Sequence, residues 1–88
     1  MKDTFELTIA TSEEITRYGD VVSLDVPGED GYMGIMANHI GVVANLIPGI
    51  ITIRQSSNTG PVILNSTGKG FFEFLNNSAA IIVDQVPV

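Results

Sequence analysis

Cysteine and tryptophan are both missing from this chain of 88 residues, and only four lysines and arginines stand against ten aspartates and glutamates. Without cysteine no disulfide can reinforce a core that a chain of this length builds only marginally, and thiolate zinc sites are excluded. His39 is the only histidine, so a metal site would need it together with carboxylates, and no ligand pair stands at zinc spacing. The expectation is therefore no metal and no cofactor. A net charge of −6 opposes phosphate backbones and anionic headgroups, which argues against nucleic acid as a partner. The N-terminal run MKDTFELTIATSEE has one lysine and no apolar block of signal length. It predicts neither a secretory nor an organellar leader, and a reducing, cytoplasmic compartment.

Charge is also absent locally. From Gly31 to Ile53 the chain runs 23 residues, GYMGIMANHIGVVANLIPGIITI, with no Asp, Glu, Lys or Arg. A bilayer helix needs about 20 predominantly apolar residues. Here Asn38, His39 and Asn45 are polar, Gly31, Gly34, Gly41 and Gly49 interrupt, and Pro48 removes a backbone donor. The segment is therefore expected to pack against protein and not to span lipid. The chain as a whole is 44% hydrophobic, although a domain of this size buries only about 60 to 65% of its unfolded surface. Burial by a partner resolves that excess.

Period-two patterning runs through the sequence. Phe5, Leu7 and Ile9 alternate with Glu6, Thr8 and Ala10, predicting a half-buried strand over 4–11. Ile15 to Tyr18 reads as a short second strand ending at a Gly19-Asp20 turn. A third follows, with Val22, Leu24 and Val26 on one face, Val21, Ser23 and Asp25 on the other, and a stop at Pro27-Gly28. Tyr32 to Met36, Ile40 to Asn45, Ile50 to Gln55, Val62 to Asn65, Gly70 to Leu75 and Ser78 to Val86 complete the set, with Ser56 to Gly60 as a hairpin loop. The windows free of Gly and Pro are rich in Thr, Ile, Val and Phe, so no helix is predicted. Short strands with turns at this spacing predict an all-β fold, an antiparallel β-sandwich or flattened barrel of about eight to ten strands, as one domain over 1–88. In Ala79-Ala80-Ile81-Ile82-Val83 consecutive apolar residues point to both faces of one strand, either because a loop covers it or because a partner does.

Catalytic chemistry is scarce. Glu29 and Asp30 precede His39 by nine or ten residues and could orient it as a general base, but an acidic pair beside glycine is ordinarily a solvated turn. No serine has a nucleophile-elbow context, and Gly68-Lys69-Gly70 lacks the strand-to-helix setting and trailing hydroxyl of a phosphate cradle. A lysine at a hairpin tip of a small sandwich allows one alternative class, a lipoyl- or biotinyl-type carrier, although the flanking residues do not match. A free-standing interaction domain is the other alternative. Tyr32, Met33 and Met36, with Asn38 and His39, form a candidate docking rim, because Tyr is enriched at interfaces and Met adapts to contacts.

The stretch Asp30-Gly31-Tyr32-Met33-Gly34-Ile35-Met36-Ala37-Asn38-His39, followed by Leu46-Ile47-Pro48-Gly49, resembles the D-G-x-x-G-I-x-x-x-H … L-x-P-G signature of the epsilon subunit of F-type ATP synthases. Phe5 to Ile9, Val22 to Gly28 and Gly70 to Phe74 with Asn77 extend the resemblance over nearly the whole chain. Ala37 and Gly41 stand where that family commonly has proline, and Lys69 where it has a second glycine. The resemblance implies a non-catalytic rotor subunit whose sandwich binds the gamma subunit and sits on the membrane ring of c subunits, coupling proton flow to ATP synthesis. It implies a peripheral location on the cytoplasmic face of a bacterial plasma membrane, ahead of a plastid thylakoid. By the same resemblance Tyr32, Met33 and Asn38 are expected toward the c ring, and Thr11, His39 and Ala44 toward gamma. Epsilon subunits usually continue into two C-terminal helices that restrain ATP hydrolysis. A chain ending at Val88 is expected to couple without that brake.

Overall fold

The computed structural model describes residues 2–84. Eight strands follow one another: β1 (Phe5–Ala10), β2 (Ile15–Gly28), β3 (Gly31–Met36), β4 (Val42–Leu46), β5 (Gly49–Gln55), β6 (Val62–Ser66), β7 (Gly70–Leu75) and β8 (Ser78–Val83), with no helix among the described residues. The all-β expectation holds, and each strand sits within a residue or two of its alternating pattern. The exception at the C-terminal end is β8, predicted to run to Val86. Residues 85 and 86 lie outside the described residues.

One pairing departs from a wholly antiparallel fold. β1 runs parallel to β8, with Leu7 beside Ala79 and Ile9 beside Ile81, while the other pairings are antiparallel. β2 is the second departure. The expected second and third strands are one strand of 14 residues, bent and not broken at Gly19-Asp20. Two steps along β1, from Phe5 to Leu7, are matched there by three along β2, from Val21 to Tyr18. Asp20 takes up the extra residue at φ 53°, a left-handed conformation that Asp tolerates better than most side chains. Glu6 accepts the Asp20 N–H at 3.3 Å, Gln55 Nε2 donates to the Gly19 carbonyl at 2.9 Å, and Ser56 N–H donates to the Asp20 carbonyl at 3.0 Å. The bend is thus satisfied without ladder bonds.

A second extra residue lies between Val21 and Ser23, where β2 advances two positions against one of β5. Each bulge shifts the inward phase by one. Val21, Leu24 and Val26 are buried and Val22 is exposed, so the expected Val22–Leu24–Val26 face is corrected at its first member. The bends let β2 serve two layers. Its first half pairs with β1, which leads on to β8, β7 and β4 in one layer; its second half pairs with β3 and β5, with β6 beyond, and its last residue, Gly28, bridges to Leu46 of β4.

The inward residues of both layers meet in one hydrophobic cluster. Phe5, Leu7, Ile9, Leu46, Phe72, Phe74, Ala79, Ile81 and Val83 come from the first layer, and Leu24, Val26, Ile35, Ile51 and Ile53 from the second. The core is close-packed at the β7–β8 ladder. A Cβ on Gly70 would lie 2.5 Å from the Ile82 carbonyl oxygen and closer still to the Val83 side chain. Gly70→Ala is therefore expected to cost about 1–3 kcal/mol of unfolding free energy, the range for overpacking. An unchanged urea midpoint would mean that the two strands separate freely at this point.

Candidate docking surface

The strands place the expected site residues at two opposite ends of the sandwich. One end carries the β1–β2 turn with Thr11, the β2–β3 turn with Glu29 and Asp30, and the β6–β7 loop with Lys69. The other carries the N-terminal segment, the β3–β4 loop with Asn38 and His39, and the β7–β8 turn. Glu29 and Asp30 lie beyond one end of β3 and His39 beyond the other, so the considered general-base arrangement does not form. No group of three or more His, Cys, Asp or Glu side chains converges as a metal site among the described residues.

Tyr32, Met33 and Ala44 come together. They line a cleft of about 380 Å³ where β3 and β4, the facing edges of the two layers, diverge above Gly28 to Gly31. Tyr32 is 62% exposed, and its hydroxyl accepts the Ile50 N–H at 2.9 Å. Met33 is half-buried against the core. Asn38, assigned with Tyr32 and Met33 by resemblance, is at the far end of β3. It adopts φ 68° and is held by Asn77. His39, assigned with Ala44 and Thr11, sits beside Asn38. Its ring stands edge-on to Phe74 with centroids 6.0 Å apart, and Nδ1 lies 2.7 Å from the Ile40 carbonyl. A carbonyl only accepts, so Nδ1 carries the proton in that contact. Thr11 is engaged by its own turn. Its hydroxyl oxygen accepts from the Glu14 and Glu13 amides at 3.2 and 3.3 Å.

Lys69 is not at a hairpin tip. β6 pairs with β5 and β7 with β4 and β8, so the loop bearing Lys69 crosses between layers. That removes the geometric basis of the carrier alternative. The lysine lines a shallow apolar hollow of about 410 Å³ with Thr11, Phe71, Ile82 and Asp84.

An apolar row on the outer face of the first layer was only half legible in the sequence. In the first layer Ile15, Ala10, Ile82 and Phe71 occupy one cross-strand row through four strands, all on the outward face. Ile15 is 59% exposed, Ile82 56% and Phe71 42%. The neighbouring row, Arg17, Thr8, Ala80, Glu73 and Val43, sets two charges at some distance around two small side chains. No other part of the described chain covers this face. The strand Ala79–Val83 accordingly has one face in the core and the other open. Sequence reading singled out that strand but missed Phe71 and Ile15. The doublet Phe71-Phe72 held the available signal, since adjacent strand residues face opposite ways. The outward face of the second layer differs. There Arg54 and Asp25 form an exposed ion pair at 3.4 Å, flanked by Thr52 and Ser23.

Comparison with known proteins bears on this architecture. Residues 4–87 match the family described as ATP synthase, Delta/Epsilon chain, beta-sandwich domain. An ATP synthase epsilon chain of Protochlamydia amoebophila is 40% identical over 82 residues, covering 93% of this chain and 54% of its own. Another, from Wolbachia pipientis wMel, is 33% identical over 87 residues, covering 98% of this chain and 74% of its own. The chain thus spans about half the length of the first relative. A chain of the Euglena gracilis mitochondrial ATP synthase structure superimposes with a TM-score of 0.88 at 19% identity, over 99% of this chain and 54% of its own, which supports the fold. The family match over nearly all of the sequence and the identity to the epsilon chains lead to one conclusion: this chain belongs to the ATP synthase delta/epsilon chain β-sandwich family.

Proposed function

We propose that residues 1–88 form one β-sandwich domain with a non-catalytic rotor role, docking a gamma subunit onto the c ring of a proton-translocating ATP synthase so that stalk and ring turn together. The observation carrying this reading is the uncovered apolar row Ile15–Ala10–Ile82–Phe71. A row through four hydrogen-bonded strands is a stiff surface, and torque transfer requires an interface that neither shears nor slips. An apolar centre with charges at its margin is also the usual anatomy of a stable protein interface. We assign this face, with His39 and Thr11 at its two ends, to gamma.

The acidic β2–β3 tip, with Tyr32 and Met33 beside it, is assigned to the ring. Asn38 lies too far along β3 to share that contact and is reassigned to the gamma side. A broad patch at one side and a polar tip at one end suit a body wedged between two partners. The location that follows is peripheral, at the cytoplasmic face of a bacterial plasma membrane, through protein contacts. No helix among the described residues is long and apolar enough to cross a membrane.

Hydrogen exchange tests the assignment. On adding gamma, amides of β8 and β1 and of 38–45 are expected to gain protection, and those of β6 to stay unchanged. Absence of protection in β8 would overturn the gamma face. Failure of the tagged chain to recover gamma and c subunits from a mild detergent extract would overturn the reading as a whole.

A further inference from the structure

Asn38 and Asn77 stand 39 residues apart, yet they exchange two hydrogen bonds. Asn77 Oδ1 accepts the Asn38 backbone N–H at 2.6 Å, and Asn77 Nδ2 donates to Asn38 Oδ1 at 3.1 Å. Asn38 Nδ2 in turn donates to the Lys2 carbonyl at 2.7 Å, and the Asn77 carbonyl accepts the Glu6 N–H at 3.2 Å. Three segments are tied at one point: the N-terminal segment, the β7–β8 turn and the β3–β4 loop. Both asparagines hold left-handed backbone, at φ 68° and 58°, and Asn is among the few residues that accept this. Asn76, at φ 51°, completes with Asn77 the two-residue hairpin turn that joins Leu75 to Ser78.

The β3–β4 loop is where the chain passes from one layer to the other, and it carries Ile40, the most exposed large apolar side chain described, at 79%. A side chain that exposed has no packing of its own to hold it. Its position is fixed by the backbone on either side, through the Asn38 clasp, the His39 N–H bond to the Met36 carbonyl at 3.2 Å, and the His39 ring, which touches the Ile40 carbonyl and Phe74. We propose that Asn77 is a positioning residue for partner docking. Through Asn38 it fixes the β3–β4 loop so that Ile40 and His39 meet the partner preordered. The proposal rests on the docking role argued above and adds a residue that role did not include. Its physical basis is that ordering a loop on binding subtracts from affinity, whereas a loop ordered beforehand does not.

Glycine separates the clasp from the turn. Asn77→Gly removes both side-chain bonds yet adopts φ 58° without strain, so the hairpin is retained. In the isolated chain, Asn77→Gly is expected to raise exchange of the Asn38 amide, and of the adjoining His39 amide, by about tenfold or more, with the β7–β8 ladder amides unchanged. Asn38→Gly keeps the backbone N–H that Asn77 Oδ1 accepts and is expected to raise this exchange less, and because both substitutions remove the Asn77 Nδ2–Asn38 Oδ1 bond, the double variant should fall short of additivity. The gamma affinity of Asn77→Gly is expected to fall about tenfold at unchanged fold content. A residue that merely stabilises the hairpin would lower the urea midpoint and leave affinity untouched, an outcome that overturns the proposal. Unchanged exchange at Asn38 and His39 in Asn77→Gly, or fully additive effects in the double variant, would also overturn it. Failure of the wild-type chain to bind gamma would overturn the docking reading instead, and the exchange data would distinguish the two.

Discussion

Phe74→Ala is expected to lower the unfolding free energy by about 3–5 kcal/mol, the range for truncating a buried aromatic. The ring is buried on β7, between Val42 of β4 and Ala79 of β8 in register. Its edge-to-face partner is Phe5, at 5.2 Å and 89°. Such a pair adds about 0.5–1.5 kcal/mol beyond area burial, and alanine forfeits both terms while leaving a cavity. A domain of this class has only about 5–15 kcal/mol in total, so the loss should be plain in a urea titration. His39 rests against the same ring, so the β3–β4 loop should also lose amide protection at denaturant concentrations where the rest stays folded. The contrast is Phe71→Ala, three residues earlier on the same strand and facing outward, for which a change within about 1 kcal/mol is expected. A Phe74→Ala shift below about 1 kcal/mol would mean that the layers close over the cavity, and that the core is far more plastic than its packing implies.

The difference between Phe71 and Phe74 was legible in the sequence in one respect only. Alternation identifies a strand and divides its residues into two sets, and it did so for β1, where Phe5, Leu7 and Ile9 are buried; Ile51 and Ile53 of β5 and Phe72 and Phe74 of β7 are buried with the same period. It fails where a strand carries an inserted residue. The two bulges of β2 reverse the phase twice, and the Gly19-Asp20 dipeptide that marks the first reads equally well as a turn. Pairing partners at long range leave no local trace either. Nothing in Phe5 to Ala10 announces a parallel partner near the end of the chain, and nothing in Gly68-Lys69-Gly70 tells a crossover from a hairpin.

The candidate site suffered most from this limit. Tyr32, Met33 and Asn38 sit within one compact signature, but the extended run from Tyr32 to Met36 alone covers roughly 13 Å before the turn that carries Asn38 begins. Closeness in sequence therefore became distance in space. Asn38 and Asn77 show the converse, since their contact follows only from the closure of β7, β8 and β4 into one layer.

Ile82→Glu is expected to weaken binding of gamma by about 100-fold or more while leaving the chain folded. Ile82 lies in the middle of the exposed row, with Phe71 and Ala10 directly beside it on adjacent strands. Its side chain makes no core contact that the substitution would remove, and a fold change within about 1 kcal/mol is expected for a surface position. In the docked state the same position would be central, where truncation of an anchor typically costs 2 kcal/mol or more, and a carboxylate there must also lose its water without a partner. About 2.7 kcal/mol corresponds to 100-fold in affinity. Because the chain is already at −6, a further negative charge could weaken association through the overall field alone. Ile63→Glu controls for this. Ile63 is as exposed as Ile82, at 61%, and lies on the outward face of the other layer, beside Thr52. The two variants have equal net charge, so a field effect moves both alike and fades with salt, whereas loss of a buried anchor moves only Ile82→Glu and persists. Equal affinities for the two variants would place the gamma contact elsewhere on the molecule. A selective, salt-resistant loss at Ile82 would identify the first layer's outer face as the surface through which torque passes.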